Sequence, residues 1–216
     1  MTTTLASRLA RCYTGAVHDV LRMLGHDNIV LPSAIKPVDP AMRVAGPAWT
    51  VAGHSAATLG RDETLRAWCG LLSRAAPGHV VVCQPNNRDV ALMGELSAQT
   101  LQARGVLGFV VDGGSRDTAL VVEQGFPVFC AFLTPADIVS HWLPDRFGEP
   151  VTIGAVTIST GDYVLGDRDG VVVIPAALAE EVVTRTEEVV ATESEMRRAL
   201  VAGMDPVAAY DKYGKF

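Results

Sequence analysis

The sequence runs to 216 residues, enough for one domain with a sizeable core and too few for more than two small ones. Its composition, 49% hydrophobic and 19% charged, excludes an intrinsically disordered chain. A formal net charge of -6 argues against a broad electrostatic grip on nucleic acid or on an anionic membrane surface.

The first fifteen residues, "MTTTLASRLARCYTG", hold no long apolar run, so no signal peptide is expected. The longest apolar runs, such as "GVVVIPAALA", are too short to cross a bilayer. Cys12, Cys69, Cys83 and Cys130 form no CxxC pair, which fits reduced thiols in a cytoplasmic protein.

In chain order, residues 5–24 read as an amphipathic helix or two short ones, with Leu5, Leu9, Val17, Val20, Leu21 and Leu24 at near-helical intervals. Thr14 suits the N-cap of a second piece and Gly25 its stop. A proline-rich loop leads to a strand, "PAWTVAG", and then "DETLRAWCGLLSRA" reads as a helix with acids at its start. "PGHVVVCQP" follows as turn, buried strand and turn. The middle of the chain is the most regular part. A helix is predicted from Glu95 to Arg104, stopped by Gly105, and is followed by the strand "VLGFVVDGG". A helix in "RDTALVVEQG" and the strand "FPVFCAFL" complete a βαβ unit, so part of the sheet should be parallel. Beyond residue 145 come short β segments, "PVTIGAVTIS", "GDYVLGD" and "GVVVIP", too closely spaced for crossover helices and so antiparallel. A long helix over about 176–200 and the tail "DPVAAYDKYGKF" close the chain. The expected architecture is one α/β domain over 1–216 with a mixed sheet.

The stretch "GFVVDGGSRD" places Arg116 and Asp117 beyond the carboxyl end of a predicted strand, where ligands of α/β proteins bind. Gly113 and Gly114 are expected to turn the backbone sharply and to let it approach a ligand. Arginine is a planar fork for a carboxylate; aspartate is a hard oxygen ligand for Mg²⁺ or Mn²⁺. The same residues also suit a structural reading: Ser115 as helix N-cap, Asp117 as a first-turn acid and Arg116 as a solvated side chain. Twenty residues separate Glu95, again at a predicted helix start, from Arg116, giving Glu95-x20-Arg116-Asp117. If the two loops meet, two carboxylates and a guanidinium converge. Spacing alone leaves both readings open.

Elsewhere the pattern is plainer. His18, His26, His54, His79 and His141 have no metal-ligand spacing, and His54 is the one best placed to line a pocket. "GDRDG" (166–170) lacks the length of a calcium loop and reads as a turn. Glu187, Glu188, Glu193 and Glu195 read as a solvated helix face, and Asp112 as a structural residue at the end of its strand.

The string "MGELSAQTLQARGVLGFVVDGGSRDTALV" resembles the central signature of the RraA-like superfamily, which holds the class II 4-hydroxy-4-methyl-2-oxoglutarate/4-carboxy-4-hydroxy-2-oxoadipate aldolases and the regulators of ribonuclease activity. "AGPAWTV", "APGHVVVCQP", "GDYVLGDRDGVVVIPAALAEEVV" and "RRALVAGMDPVAAYDKYG" resemble further landmarks in the family's order, so the likeness covers nearly the whole chain. It implies a sandwich of the swivelling β/β/α type and a homotrimer or homohexamer with sites near subunit interfaces. On the aldolase side it implies a divalent cation held directly by Asp117 and through water by Glu95. Arg116 would face the pyruvate-like part of the substrate and its enolate, and Gly94, Leu96 and Ser97 would help hold the carboxylate. The expected reaction is cleavage of a 4-hydroxy-2-oxo dicarboxylic acid to pyruvate, with oxaloacetate decarboxylation beside it. An acidic residue of a neighbouring subunit, one of those on the tail helix among the candidates, would join the site. The aldolases usually begin the motif with Asp, where this chain has Glu95. The regulators typically lack that acid, and a non-catalytic, protein-binding role or a different keto-acid lyase are the alternatives.

Overall fold

Apolar residues on both faces of consecutive strands set the centre of the molecule. The computed structural model describes residues 4–56 and 58–214. The chain opens with helices α1 (Leu5–Leu9) and α2 (Thr14–Met23), strands β1 (Lys36–Pro37) and β2 (Val44–Ser55), and helix α3 (Arg61–Arg74). The middle holds β3 (Val80–Gln84), β4 (Ala91–Met93), α4 (Glu95–Ala103), β5 (Gly108–Ser115), α5 (Thr118–Gln124), β6 (Val128–Leu133) and β7 (Trp142–Phe147). The last part holds β8 (Val151–Ile153), β9 (Val156–Ile158), β10 (Tyr163–Asp167), β11 (Gly170–Ile174), α6 (Ala179–Val201) and α7 (Pro206–Tyr213).

Among the described residues nine strands form one mixed sheet in the order β1-β6-β5-β3-β2-β10-β11, with β4 also beside β5 and β7 beside β2. The β2–β3, β3–β5, β4–β5 and β5–β6 pairs are parallel, the last being the pair that the βαβ pattern predicted. The later strands pair antiparallel: β10 with β11 and with β2, and β8 with β9 as a separate hairpin. Lys36 of β1 donates to the Asp169 carbonyl at the β10–β11 turn (2.6 Å), and Val30 bridges Val172, drawing the two edges of the sheet together into a nearly closed mixed sheet.

Strand alternation sorts the core. Val81, Cys83, Phe109 and Val111 point to one face and pack with Leu71, Leu101 and Val121 from α3, α4 and α5. Val80, Val82 and Val110 point to the other, against Phe129 of β6, Ile153 and Ile158. A third cluster joins Leu165 and Ile174 to Val17 and Leu21 of α2 and Val182 and Val183 of α6. Both faces of the parallel strands are therefore covered, which is why "HVVVCQ" and "GFVV" read as unbroken apolar runs. Each fully buried Val, Leu or Phe contributes about 1.5–3 kcal/mol. Among the described residues no helix is long and apolar enough to cross a membrane.

Several local expectations change. The tail helix starts as a single 3₁₀ turn at Ala176–Leu178 and continues as α6 to Val201. Tyr13, not Thr14, holds the N-cap of α2, because the Thr14 amide and hydroxyl both donate to Asp167 (2.9 and 2.8 Å). Asp167 also accepts from Asp169 N (3.0 Å), so "GDRDG" is the β10–β11 turn and its first acid clamps α2 to that turn. The tail-helix acids are not all solvated. Arg8 of α1 donates to Glu187 (2.7 Å), holding its carboxyl below the usual range, and the Tyr13 hydroxyl donates to Glu193. Strand β7, which the sequence pattern did not reveal, pairs with the far end of β2.

Gly113 and Gly114 lie within β5 with negative φ, so they turn nothing; what Gly114 supplies is room. A Cβ there would stand 2.7 Å from the Val90 carbonyl oxygen and 2.7 Å from the Phe132 ring. Gly114→Ala should lower the unfolding free energy by about 1–3 kcal/mol, the usual cost of overpacking, as measured by urea denaturation. A midpoint equal to wild type would show that β4 and β6 do not press on this strand.

Candidate active site

Strands β4 and β5 run parallel with Met93 opposite Ser115, so the chain leaving each emerges side by side at the carboxyl end of the sheet. Arg116 N donates to the Met93 carbonyl (2.8 Å), and so does the Ser115 hydroxyl (3.1 Å). Ser115 is thus a fully buried strand residue rather than a helix cap. Asp117 takes the N-cap position of α5 in a left-handed backbone (φ 53°, ψ 31°). Aspartate tolerates that region better than most residues, though still at a cost, and such strained positions collect at functional sites. Its carboxylate caps no amide of its own helix. Instead Oδ2 turns to α4, accepting from Glu95 N at 3.3 Å, and lies 3.6 Å from Arg116 Nε.

Gly94 makes this approach possible. Its φ of -143° suits any residue, so space is what selects glycine: a Cβ would stand 2.6 Å from Asp117 Oδ2 and 3.3 Å from Arg116 Cγ. With glycine at the N-cap there is no side chain to cap α4, and its first intrahelical bond is Ala98 N to Gly94 O. The Leu96 and Ser97 amides therefore lie in a first turn that has no helical acceptor to offer them. Glu95, in the same turn, accepts from Gln124 Nε2 at 3.2 Å.

The sequence motif thus gathers as its spacing allowed: Gly94, Glu95, Leu96, Ser97, Arg116 and Asp117 all line one cavity of about 320 Å³. Arg116 and Asp117 side chains are 38% and 43% exposed, open enough to meet a ligand. Two contributions were missed. Asp137, in the loop after β6, places Oδ2 3.5 Å from Arg116 Nη1, so the guanidinium lies between two carboxylates. That loop is fastened by Thr134 N to Ser115 O (3.1 Å) and Ala91 N to Ala136 O (2.8 Å). The available signal was an acid shortly after a third parallel strand, in "FPVFCAFLTPAD". The second is α3, whose Leu65, Trp68, Cys69 and Leu72 form the opposite wall.

Other candidates lie elsewhere. His54 Nδ1 bonds Asp145 (2.6 Å) on an exposed strand end and does not line the cavity. Asp112 sits inside β5 rather than at the end of the strand, and pairs with Arg88 (2.8 Å), while burial pushes its carboxyl up.

Among the described residues no three His, Cys, Asp or Glu side chains are gathered as a cage for a metal ion. That does not exclude the expected cation. Mg²⁺ keeps several waters and takes one or two carboxylates plus substrate oxygens, and a half-exposed Asp117 with Glu95 in the same cavity is a donor set of that kind.

Gly94→Ala should push the Asp117 carboxylate off the Glu95 amide. Hydrogen exchange at Glu95 should then quicken by about fivefold, the factor that ~1 kcal/mol of hydrogen bond represents, with the global melting transition little changed. Unaltered exchange at Glu95 would mean that the contact holds nothing in place.

The chain resembles known proteins over most of its length. Protein DlpA of Legionella pneumophila is 28% identical over 213 residues, 97% of this chain, which spans only 34% of that protein's length. A protein of Halalkalibacterium halodurans named "Putative 4-hydroxy-4-methyl-2-oxoglutarate aldolase" is 32% identical over 181 residues, covering 83% of this chain and 82% of that one. The crystal structure of Streptomyces coelicolor RraAS2, described as an unusual member of the RNase ES inhibitor RraA protein family, superposes with a TM-score of 0.79 at 29% identity, covering 90% of this chain and 96% of that one. The RraA-like family model, described as Aldolase/RraA, matches residues 14–173, and the chain belongs to that family.

Proposed function

We propose that the protein is a divalent-metal-dependent carbon–carbon lyase that releases pyruvate from 4-hydroxy-2-oxo acids, 4-hydroxy-4-methyl-2-oxoglutarate among the dicarboxylic members, and decarboxylates oxaloacetate. The observation that carries the reading is the meeting of Glu95, Arg116 and Asp117 in one cavity, with Asp117 Oδ2 lodged against Glu95 N. The name of the H. halodurans relative supports it.

In the retro-aldol step the C3–C4 bond breaks and its electron pair passes through C3 to the 2-oxo oxygen. The C4 hydroxyl gives up its proton as C4 becomes a carbonyl, and C3 takes a proton to complete pyruvate. The Arg116 fork pairs with the carboxylate and the 2-oxo oxygen, and it strengthens its hold as charge grows there. Asp137 and Asp117 flank the guanidinium and fix its plane. The first-turn amides of Leu96 and Ser97, at the positive end of α4, receive the substrate carboxylate beside Gly94. A divalent cation held by Asp117, with Glu95 engaged through water, would supply Lewis-acid stabilisation of the same oxygen. Oxaloacetate decarboxylation passes through the same pyruvate enolate and needs no further group.

The family resemblance implies a homotrimer or homohexamer with sites at its seams, and exposed Leu96 (72%) and Leu133 (60%) beside the cavity are open to such a contact. A second reading, a non-catalytic regulator acting by protein–protein binding, is favoured by the likeness to S. coelicolor RraAS2. Such a role gives the acid, arginine and aspartate no reason to share a cavity.

Pyruvate release from oxaloacetate and from 4-hydroxy-4-methyl-2-oxoglutarate should appear with Mg²⁺ or Mn²⁺ and vanish with EDTA. Arg116→Ala should lower kcat/KM by about 10²–10³-fold, the effect of losing one donor to a developing oxyanion, without lowering the melting temperature. Asp117→Ala should abolish the metal response. If neither these two substrates nor other 4-hydroxy-2-oxo acids give metal-dependent pyruvate, the lyase reading fails.

A further inference from the structure

We infer that the preferred substrate is a monoanion: a 4-hydroxy-2-oxo monocarboxylic acid whose C4 bears an alkyl or aryl group, cleaved to pyruvate and an apolar aldehyde or ketone. The inference rests on the lyase reading and concerns the half of the cavity that the motif does not touch.

The cavity has two unlike ends. Around Arg116 it is charged, whereas its far wall is built from Leu65, Trp68 and Leu72 of α3, with Leu92, Ile138 and Val139 closing it. The polar groups on that side are few and uncharged. Trp68 Nε1 donates to the Ser97 hydroxyl (2.9 Å), which turns ring carbon rather than N–H toward the space. The Thr100 hydroxyl donates to the Leu96 carbonyl of its own helix (2.7 Å). Trp68 is held a second time by an edge-on contact with Trp142, their centroids 6.0 Å apart and planes at 71°. The wall is therefore a largely apolar surface whose few polar groups, the Cys69 thiol and the Ser97 and Thr100 hydroxyls, carry no positive charge for a second carboxylate.

Charge points the same way. Among the described lining residues Arg116 is the sole cation, set against Glu95, Asp117 and Asp137. A divalent cation would bring this lining to formal neutrality. One substrate carboxylate can then share Arg116 and the first turn of α4, whereas a second would meet mostly apolar carbon and no second cation. Oxaloacetate fits the scheme because its distal carboxylate is the group that leaves as CO₂. A volume of about 320 Å³ leaves room beyond the pyruvate unit for a branched alkyl chain or a phenyl ring.

The reaction balances as before: the C3–C4 bond breaks, the C4 hydroxyl proton ends on C3 after exchange with the site, and no oxidant is needed.

The test compares kcat/KM for pyruvate release, with Mg²⁺ present, from 4-hydroxy-2-oxo-4-phenylbutanoate, 4-hydroxy-2-oxohexanoate, 4-hydroxy-4-methyl-2-oxoglutarate and oxaloacetate. The better of the two apolar acids should exceed the glutarate by at least about tenfold, as expected for a pocket that leaves a carboxylate unpaired. Leu65→Arg, at a half-buried position and with an unchanged melting temperature as the control for folding, should narrow or reverse that ratio by adding a cation to the wall. A glutarate cleaved as well as or better than both apolar acids would overturn the inference while leaving the lyase intact. Silence from all four substrates would overturn both.

Discussion

One close approach organises the site: the Asp117 carboxylate lodged against the start of α4, where only the missing side chain of Gly94 leaves room for it. Everything near it follows from that contact. Asp117 must adopt a left-handed backbone to reach across, so its side chain serves the neighbouring helix instead of capping its own. Arg116 is then drawn between Asp117 and Asp137, and Glu95 is carried to the same cavity on the first turn of α4. Two strand ends that pair in parallel bring groups about twenty residues apart within a hydrogen bond of each other.

The rest of the fold holds those strand ends still. Parallel β2, β3, β5 and β6 are covered on both faces, by α3, α4 and α5 on one side and by the β8–β9 hairpin with β10 and β11 on the other. The N-terminal helices and α6 cover a further face and are tied by Asp167 to Thr14 and by Arg8 to Glu187. These polar clamps lie away from the cavity of the same chain. Helix α3 has a double duty. Its buried residues pack on the sheet, while Leu65, Trp68 and Cys69 shape the volume a substrate would occupy.

The sequence was readable where local rules govern. Glycine stops, acidic helix starts and apolar runs located α3, α4, β5, α5 and β6 closely, and the Glu95-x20-Arg116-Asp117 spacing with its family resemblance marked the charged end of the cavity. What stayed hidden depends on partners distant in the chain. Ser115 reads locally as a cap, yet it is buried because β4 and β6 lie on both sides of it. Thr14 reads as a cap until Asp167, far along the chain, takes both of its donors. Asp137 sits in an irregular loop with no periodicity to flag it; only the parallel pairing of β5 with β6 carries it to Arg116. The apolar wall from α3 was legible as a helix but not as a lining.

The chemistry proposed for this site is stabilisation of a planar, doubly oxygenated anion by one guanidinium and one cation at Asp117. Oxalate has that shape and charge, so its binding isolates the claim from any choice of substrate. Calorimetric titration should show oxalate binding with Mg²⁺ present, none after EDTA, and none in Asp117→Ala with Mg²⁺ restored. Binding that is indifferent both to the metal and to Asp117 would contradict the proposed centre.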